Sequence, residues 1–275
     1  MANLNRVSIA VLAGVALLSA GCAKLKSRDE MNKGVQAYRN NKYAEAVKHF
    51  QEAVRNDPSN RNAELYLATS YMIQWVPGAD NPDNKKNFDM AQRTFQQVLN
   101  RDPKNSLALA SMASMAYNEA TSGTPEEKNA ALEDAKKWNQ RRIEADAKDP
   151  EPYYYLGVID WAQAFPIIQT ARVDEHMRAD DPGPLKDAKA RADLRDRFEK
   201  TLDEGIDNLK KCLALDKEND NAMTYMNLLL RKKADLEDTP EQAKADIAQA
   251  EDWFNKSMDM KKLKASRPQK NTQAS

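Results

Sequence analysis

Two histidines and two cysteines are the residues with the widest chemical reach in this 275-residue chain, and none stands at a catalytic spacing from a partner. His49 lies beside Phe50 inside an amphipathic run, where a packing or surface histidine is expected rather than a general base. His176 follows Arg172-Val173-Asp174-Glu175, so an acid could orient its ring, but no nucleophile is near enough in sequence to be activated. It reads as part of a solvated, charged turn. Asp80, Asp83 and Asn84 offer oxygen donors yet lack the alternate-position acids and closing Glu of a calcium loop. No phosphate loop, dinucleotide fingerprint or zinc-protease helix motif occurs. The expectation is a non-enzymatic protein with no catalytic residue, no metal and no cofactor.

Charge and glycine content point the same way. Lys plus Arg and Asp plus Glu both number 42, so the net basic face that nucleic acid requires is not expected. Eight glycines are few for an α/β enzyme whose backbone must approach phosphate. The mean hydropathy of −0.81 places most of the chain in water. Aromatic residues are the remaining candidates. Tyr153, Tyr154, Tyr155, Trp161 and Phe165 crowd together, with Trp75 and Trp138 elsewhere. Adjacent tyrosines point to different sides of a helix, so not all three can be buried between the same neighbours. Packing between helices is the expected role of most, and the rest could anchor a peptide in a groove.

The N-terminus has a separate logic. Arg6 is the only charge in residues 1–21, and Val7 to Leu18 form an unbroken apolar and small run, too short for the roughly 20 residues a membrane span needs. A basic start, a short apolar core and then Ser19-Ala20-Gly21 make a secretory signal. With Cys22 at the end of that run, the segment resembles a bacterial lipoprotein signal, although Ser19 stands where Leu is usual. The resemblance implies that residues 1–21 are removed, that Cys22 is acylated and becomes the new N-terminus, and that 22–26 link it to the folded part. Two or three acyl chains would hold a soluble domain on a bilayer. No Asp follows Cys22, so the outer membrane, on its periplasmic face, is the expected address. Cys212 would then be left as a small buried residue without a disulfide partner.

A repeat runs through the rest. Asp-Pro recurs at Asp57-Pro58, Asp102-Pro103 and Asp149-Pro150, each expected to close a helix. Ala46, Phe50, Ala53 and Pro58 have the same spacing as Ala91, Phe95, Val98 and Pro103, and as Gly205, Leu209, Cys212 and Lys217; Ala250, Phe254 and Ser257 give its first part again. With Leu67-Ala68, Tyr71 and Leu156-Gly157, this resembles the tetratricopeptide repeat, a 34-residue pair of helices A and B. The resemblance implies an all-α solenoid of about five hairpins over 27–260, with boundaries at 27–60, 61–105, 106–149, 150–219 and 220–260. No hairpin of this kind buries its apolar face alone, so neighbours stack. All but the first exceed the repeat length, and the surplus is expected between helix A and helix B, as extended connections. Thr124-Pro125 and Thr239-Pro240 read as N-cap and first helical residue of a helix B. The largest surplus, about 165–200, is expected to be an insert containing Asp180-Asp181-Pro182-Gly183-Pro184, followed by a long helix to Leu215. Residues 261–275 read as a disordered basic tail.

Registering each helix A on the repeat yields the groove positions that the resemblance implies. They are Met31, Val35, Tyr38 and Arg39; Leu65, Thr69, Met72 and Ile73; Ala110, Ser114, Tyr117 and Asn118; and Tyr154, Val158, Trp161 and Ala162. The strongest candidates are Tyr38, Arg39, Leu65, Thr69, Met72, Tyr117, Asn118, Tyr154 and Trp161. The Lys-and-Asn arrangement that clamps a C-terminal carboxylate in some relatives is absent at these positions. The expected function is a membrane-tethered periplasmic scaffold whose partners are proteins or peptides of the cell envelope. A carrier of a small molecule or glycan, with 165–200 as its lid, is the alternative.

Overall fold

The computed structural model describes residues 2–178 and 181–267, with side chains from Gly21 onward. Ten helices and no strand occur among them. Four neighbouring pairs pack together, α1 (Ala2–Arg39) with α2 (Tyr43–Asn56), α3 (Arg61–Met72) with α4 (Pro82–Arg101), α7 (Glu151–Asp174) with α8 (Ala188–Leu215), and α9 (Asp220–Leu236) with α10 (Pro240–Ser266); α5 (Ser106–Glu119) packs on α4, and α6 (Pro125–Ala145) follows it in the chain. The fold is therefore all-α and TPR-like, a succession of antiparallel-connected helices. It divides into two compact units, Met1–Lys128 and Asn129–Ser275, with α5 in the first and most of α6 in the second.

Local chemistry explains the turns between hairpins. After α2, α4 and α8 the residues Asp57, Asp102 and Asp216 each donate a backbone N–H to the carbonyl four residues back, and Asn60, Asn105 and Asn219 cap the next helix through their side chains. An Asn N-cap satisfies an otherwise orphaned N–H of the first turn. The third Asp-Pro behaves differently from the expectation. Asp146 takes the closing role there, while Asp149 accepts the Glu151 N–H and Pro150 caps α7. Asp149-Pro150 opens a helix instead of ending one.

Ala46, Phe50 and Ala53 in the first unit are fully buried, as are Ala91 and Phe95. Gly34 is required by close approach: a Cβ there would lie 2.5 Å from the Phe50 ring. Gly157, at the same place in the fourth helix A, would meet Leu209 at 2.5 Å. The core of the second unit runs from Ala164 and Ile168 through Leu202 and Leu209 to Met226, Leu229 and Ala250. Cys212 is buried in it, and burial pushes its thiol up to about 11.

The surplus residues do not form long loops. Most of them lengthen helices: α4, α6 and α8 have 20, 21 and 28 residues against 14 in α2. Thr124 and Thr239 do start helices B, each with a reciprocal side-chain cap from Glu127 and Gln242. In the large insert α7 continues through Pro166 to Asp174, tertiary packing overriding the local breaker, and α8 begins at Ala188. The connection between them is fastened to α9. Leu185 is buried and donates its N–H to the Asp235 carbonyl, and a Cβ on Gly183 would strike the Ala234 carbonyl oxygen at 2.2 Å. A lid free to close over a groove does not match that attachment.

Two further expectations need correction. Residues 22–26 continue α1, so the proposed linker is helical. Residues 261–266 continue α10; the remainder of the supposed tail beyond Arg267 lies outside the described residues. The basic side chains there meet acids instead of water: Lys264 pairs with Asp220, and Arg267 pairs with Glu218 through two contacts of 2.7 and 2.8 Å. Among the described residues no helix is long and apolar enough to cross a membrane.

Candidate functional site

The groove positions divide between the units. In the first, Tyr38 is half-buried at the end of α1, its ring edge-on to Tyr43 and Tyr66 at 5.3 and 6.1 Å, and Tyr66 stacks on Phe50. Burial holds the Tyr38 phenol above its ordinary value. Leu65, Thr69 and Met72 are half-buried at helical spacing on α3, and Thr69 turns its hydroxyl back to the Leu65 carbonyl. Arg39 is exposed; Tyr117 and Asn118 are half-buried near the end of α5.

The second unit builds a tighter arrangement. Tyr154 and Trp161 stand seven residues apart on α7, hence on one face. Tyr225 of α9 meets both edge-on, with ring centroids 5.8 and 5.6 Å away, and Trp161 stacks on Phe165 at 4.5 Å. Edge-to-face and offset-stacked rings satisfy the aromatic quadrupole while leaving part of each ring available. Val158, expected in the groove, is instead buried.

Sequence reasoning missed Tyr225 and the residues beside it. Carrying the same register into the fifth hairpin would have selected Thr224, Leu228, Arg231 and Lys232, three of which line a cavity with Trp161. The buried charges nearby had no local signature. Arg172 and Lys232 both pair with Asp235, which is 1% exposed, although Arg172 and Asp235 lie 63 residues apart. Burial holds Lys232 below the ordinary lysine value, and Asp235 opposes that shift.

A second cavity of about 480 Å³ lies among α6, α7 and α8, with Lys136, Asp160, Glu204 and Lys211 in its wall. Asp160 is buried, 2.6 Å from the Lys136 ammonium, in a contact that is electrostatic rather than a well-aimed hydrogen bond. Burial pushes its carboxyl up to about 6, against the pull of Lys136. Three lysines and three acids balance in this wall, so no net field selects a charged ligand.

That carboxyl yields a prediction with a definite sign. Its folded value exceeds the ordinary 3.8, so the neutral form stabilises the fold at low pH and the benefit is lost as pH rises through 6. The stability difference between wild type and Asp160→Asn should shift in favour of the variant by up to about 3 kcal/mol between pH 4 and 7. Urea unfolding across that range reads it, and a difference that does not change with pH would contradict the assignment.

His49, Asp80, Asn81 and Asn84 have structural partners. His49 Nδ1 lies 2.7 Å from Glu30, joining α1 to α2. His176 is exposed with its backbone in the left-handed region, and Glu175 accepts the N–H groups of Lys186 and Asp187. Asn84 ties its loop through Val76 and Ala79, Asp80 pairs with Lys85, and Asn81 caps α4. Among the described residues no group of three His, Cys, Asp or Glu could hold a metal ion.

Fold and site together define a TPR-like chain of helices with an aromatic helix-A face. Comparison with known proteins agrees at the level of fold. A family model described as the plant-specific mitochondrial import receptor subunit TOM20 matches residues 35–119. No curated protein matches the chain. Among solved structures, MamA 41-end from Desulfovibrio magneticus RS-1 is similar at 15% identity with a TM-score of 0.54, covering 88% of this chain and 98% of that one. Two further MamA structures give TM-scores of 0.52 and 0.51, each at 14% identity, covering 85% and 87% of this chain and 97% and 94% of theirs.

Proposed function

We propose that this protein is a non-enzymatic scaffold that binds partner proteins, held by an acylated Cys22 on the periplasmic face of a bacterial outer membrane. The observation that carries the protein-binding part is the face formed by Tyr154, Trp161 and Tyr225, three half-buried rings from two neighbouring helices. Rigid amphipathic rings of this kind supply contact area with little ordering cost, which suits an extended or helical peptide. Agreement comes from the match of residues 35–119 to a family described as an import receptor subunit. The tether rests on the apolar run that ends at Cys22, whose side chain is exposed on α1.

Fractionation tests the tether. Cys22→Ser should move the protein from the membrane fraction to the soluble periplasmic fraction, and retention equal to wild type would place the anchor elsewhere. In-cell cross-linking of both forms should give protein adducts with wild type that are diminished once the tether is lost.

A further inference from the structure

The cavity beside Trp161 has a volume of about 170 Å³, too small for a nucleotide or a sugar chain. The buried polar atom left without a partner in its wall is a donor. Trp161 Nε1 is buried and has no acceptor among the described residues. A buried donor left unpaired is costly, so it marks a place where an acceptor belongs. Arg231 gives its Nε to Asn227 at 2.9 Å, and its terminal nitrogens find no acceptor among the described residues. Lys232 gives its ammonium to Asp235 and Gln169 at 2.8 and 3.3 Å. The lining counts three cations, Arg172, Arg231 and Lys232, against two carboxylates, Asp181 and Asp235. One positive charge is in excess where an N–H group waits.

The rest of the wall is apolar, with Phe165, Leu228 and Ile247. A tetrahedral anion would want donors on every side, whereas a carboxylate on an aliphatic stem matches donors on one side and hydrocarbon on the other. Leu228 and Lys232 follow Tyr225 at three and seven residues, so the cavity opens on the same helix face as the aromatic set. We propose that the cavity receives the carboxylate of an Asp or Glu side chain from a partner peptide lying across Tyr154 and Tyr225, with Trp161 Nε1 and Arg231 as its donors. This rests on the protein-binding reading above and adds the residue the partner must present. A bound carboxylate would also relieve Lys232, which burial holds below the ordinary lysine value.

The indole N–H resonance of Trp161 reports the event directly in ¹⁵N-labelled protein, and Trp161→Phe assigns it. Acetyl-Leu-Glu-Leu-amide should shift that resonance saturably, acetyl-Leu-Gln-Leu-amide should not, and Arg231→Gln should weaken the first titration roughly tenfold, as loss of one charge-assisted hydrogen bond implies. No shift with the Glu peptide, or equal shifts with both peptides, would overturn the proposal. Sodium glutarate saturating at the same concentration as the Glu peptide would also overturn it, since the site would then be one for free small carboxylates. The comparison of two peptides on the unaltered protein keeps the test independent of any variant's folding. Partner cross-links from the aromatic face in the absence of an indole shift would sink the carboxylate while leaving the scaffold standing.

Discussion

Asp235→Ala should destabilise the second unit by about 3–5 kcal/mol, because it leaves Arg172 and Lys232 buried without their carboxylate. That loss is a large share of the 5–15 kcal/mol that typically holds a domain folded. The same residues fasten the segment between α7 and α8. Arg172 also donates to the carbonyls of Arg178 and Asp181, at 2.6 and 2.9 Å. With Asp235 removed, that segment should loosen and trypsin should cleave after Arg178 or Lys186 under conditions where wild type resists. Adding Arg172→Met to Asp235→Ala should recover part of the loss, since only one buried cation then remains. Equal midpoints in urea for wild type and Asp235→Ala would show that the charges are solvated.

A second large effect separates two phenylalanines that occupy the same place in the repeat. Phe95 is fully buried, but Phe254 on α10 is 49% exposed. Phe95→Ala should cost about 3–5 kcal/mol and Phe254→Ala less than about 1 kcal/mol, since the cavity term vanishes where solvent already reaches the ring. Urea unfolding of the two variants measures the contrast. Comparable losses would mean that Phe254 is covered in solution.

The hairpin boundaries were legible because they rest on local chemistry: Ala and Phe at fixed spacing, an Asp closing one helix and an Asn capping the next. Where the expectation failed, a long-range interaction outweighed a local rule. The insert was expected to begin near 165, yet α7 continues through Pro166 because Ala164 and Ile168 on either side are locked into the core. Surplus residues read as loops, yet α4, α6 and α8 absorb them because their added turns find partners, as when Leu194 and Phe198 in the first turns of α8 join the core. Lys264 and Arg267 read as tail because their acids, Asp220 and Glu218, lie more than forty residues earlier.

The candidate site was half visible for the same reason. Tyr154 and Trp161 stood out as aromatics on a helix A, and the structure brings them together. Tyr225 connects them, but it lies one position beyond Thr224 in the register, and single tyrosines carry no signal. Arg172, Lys232 and Asp235 looked like ordinary surface charge, since nothing local distinguishes a buried ion pair from a solvated one. Tyr38 reaches Tyr66 in the first unit, and Asn118 turns back to Ser114 on its own helix.

On the scaffold reading proposed above, partner proteins lie on the aromatic face of α7 and α9. A photoreactive phenylalanine placed at Tyr225 and, separately, at Lys200 on the exposed side of α8 tests it in living cells, since the Lys200 side chain is 88% exposed. Discrete protein adducts are expected from position 225 on irradiation and none from position 200. No protein adduct from 225, or the same adducts from both positions, would contradict it.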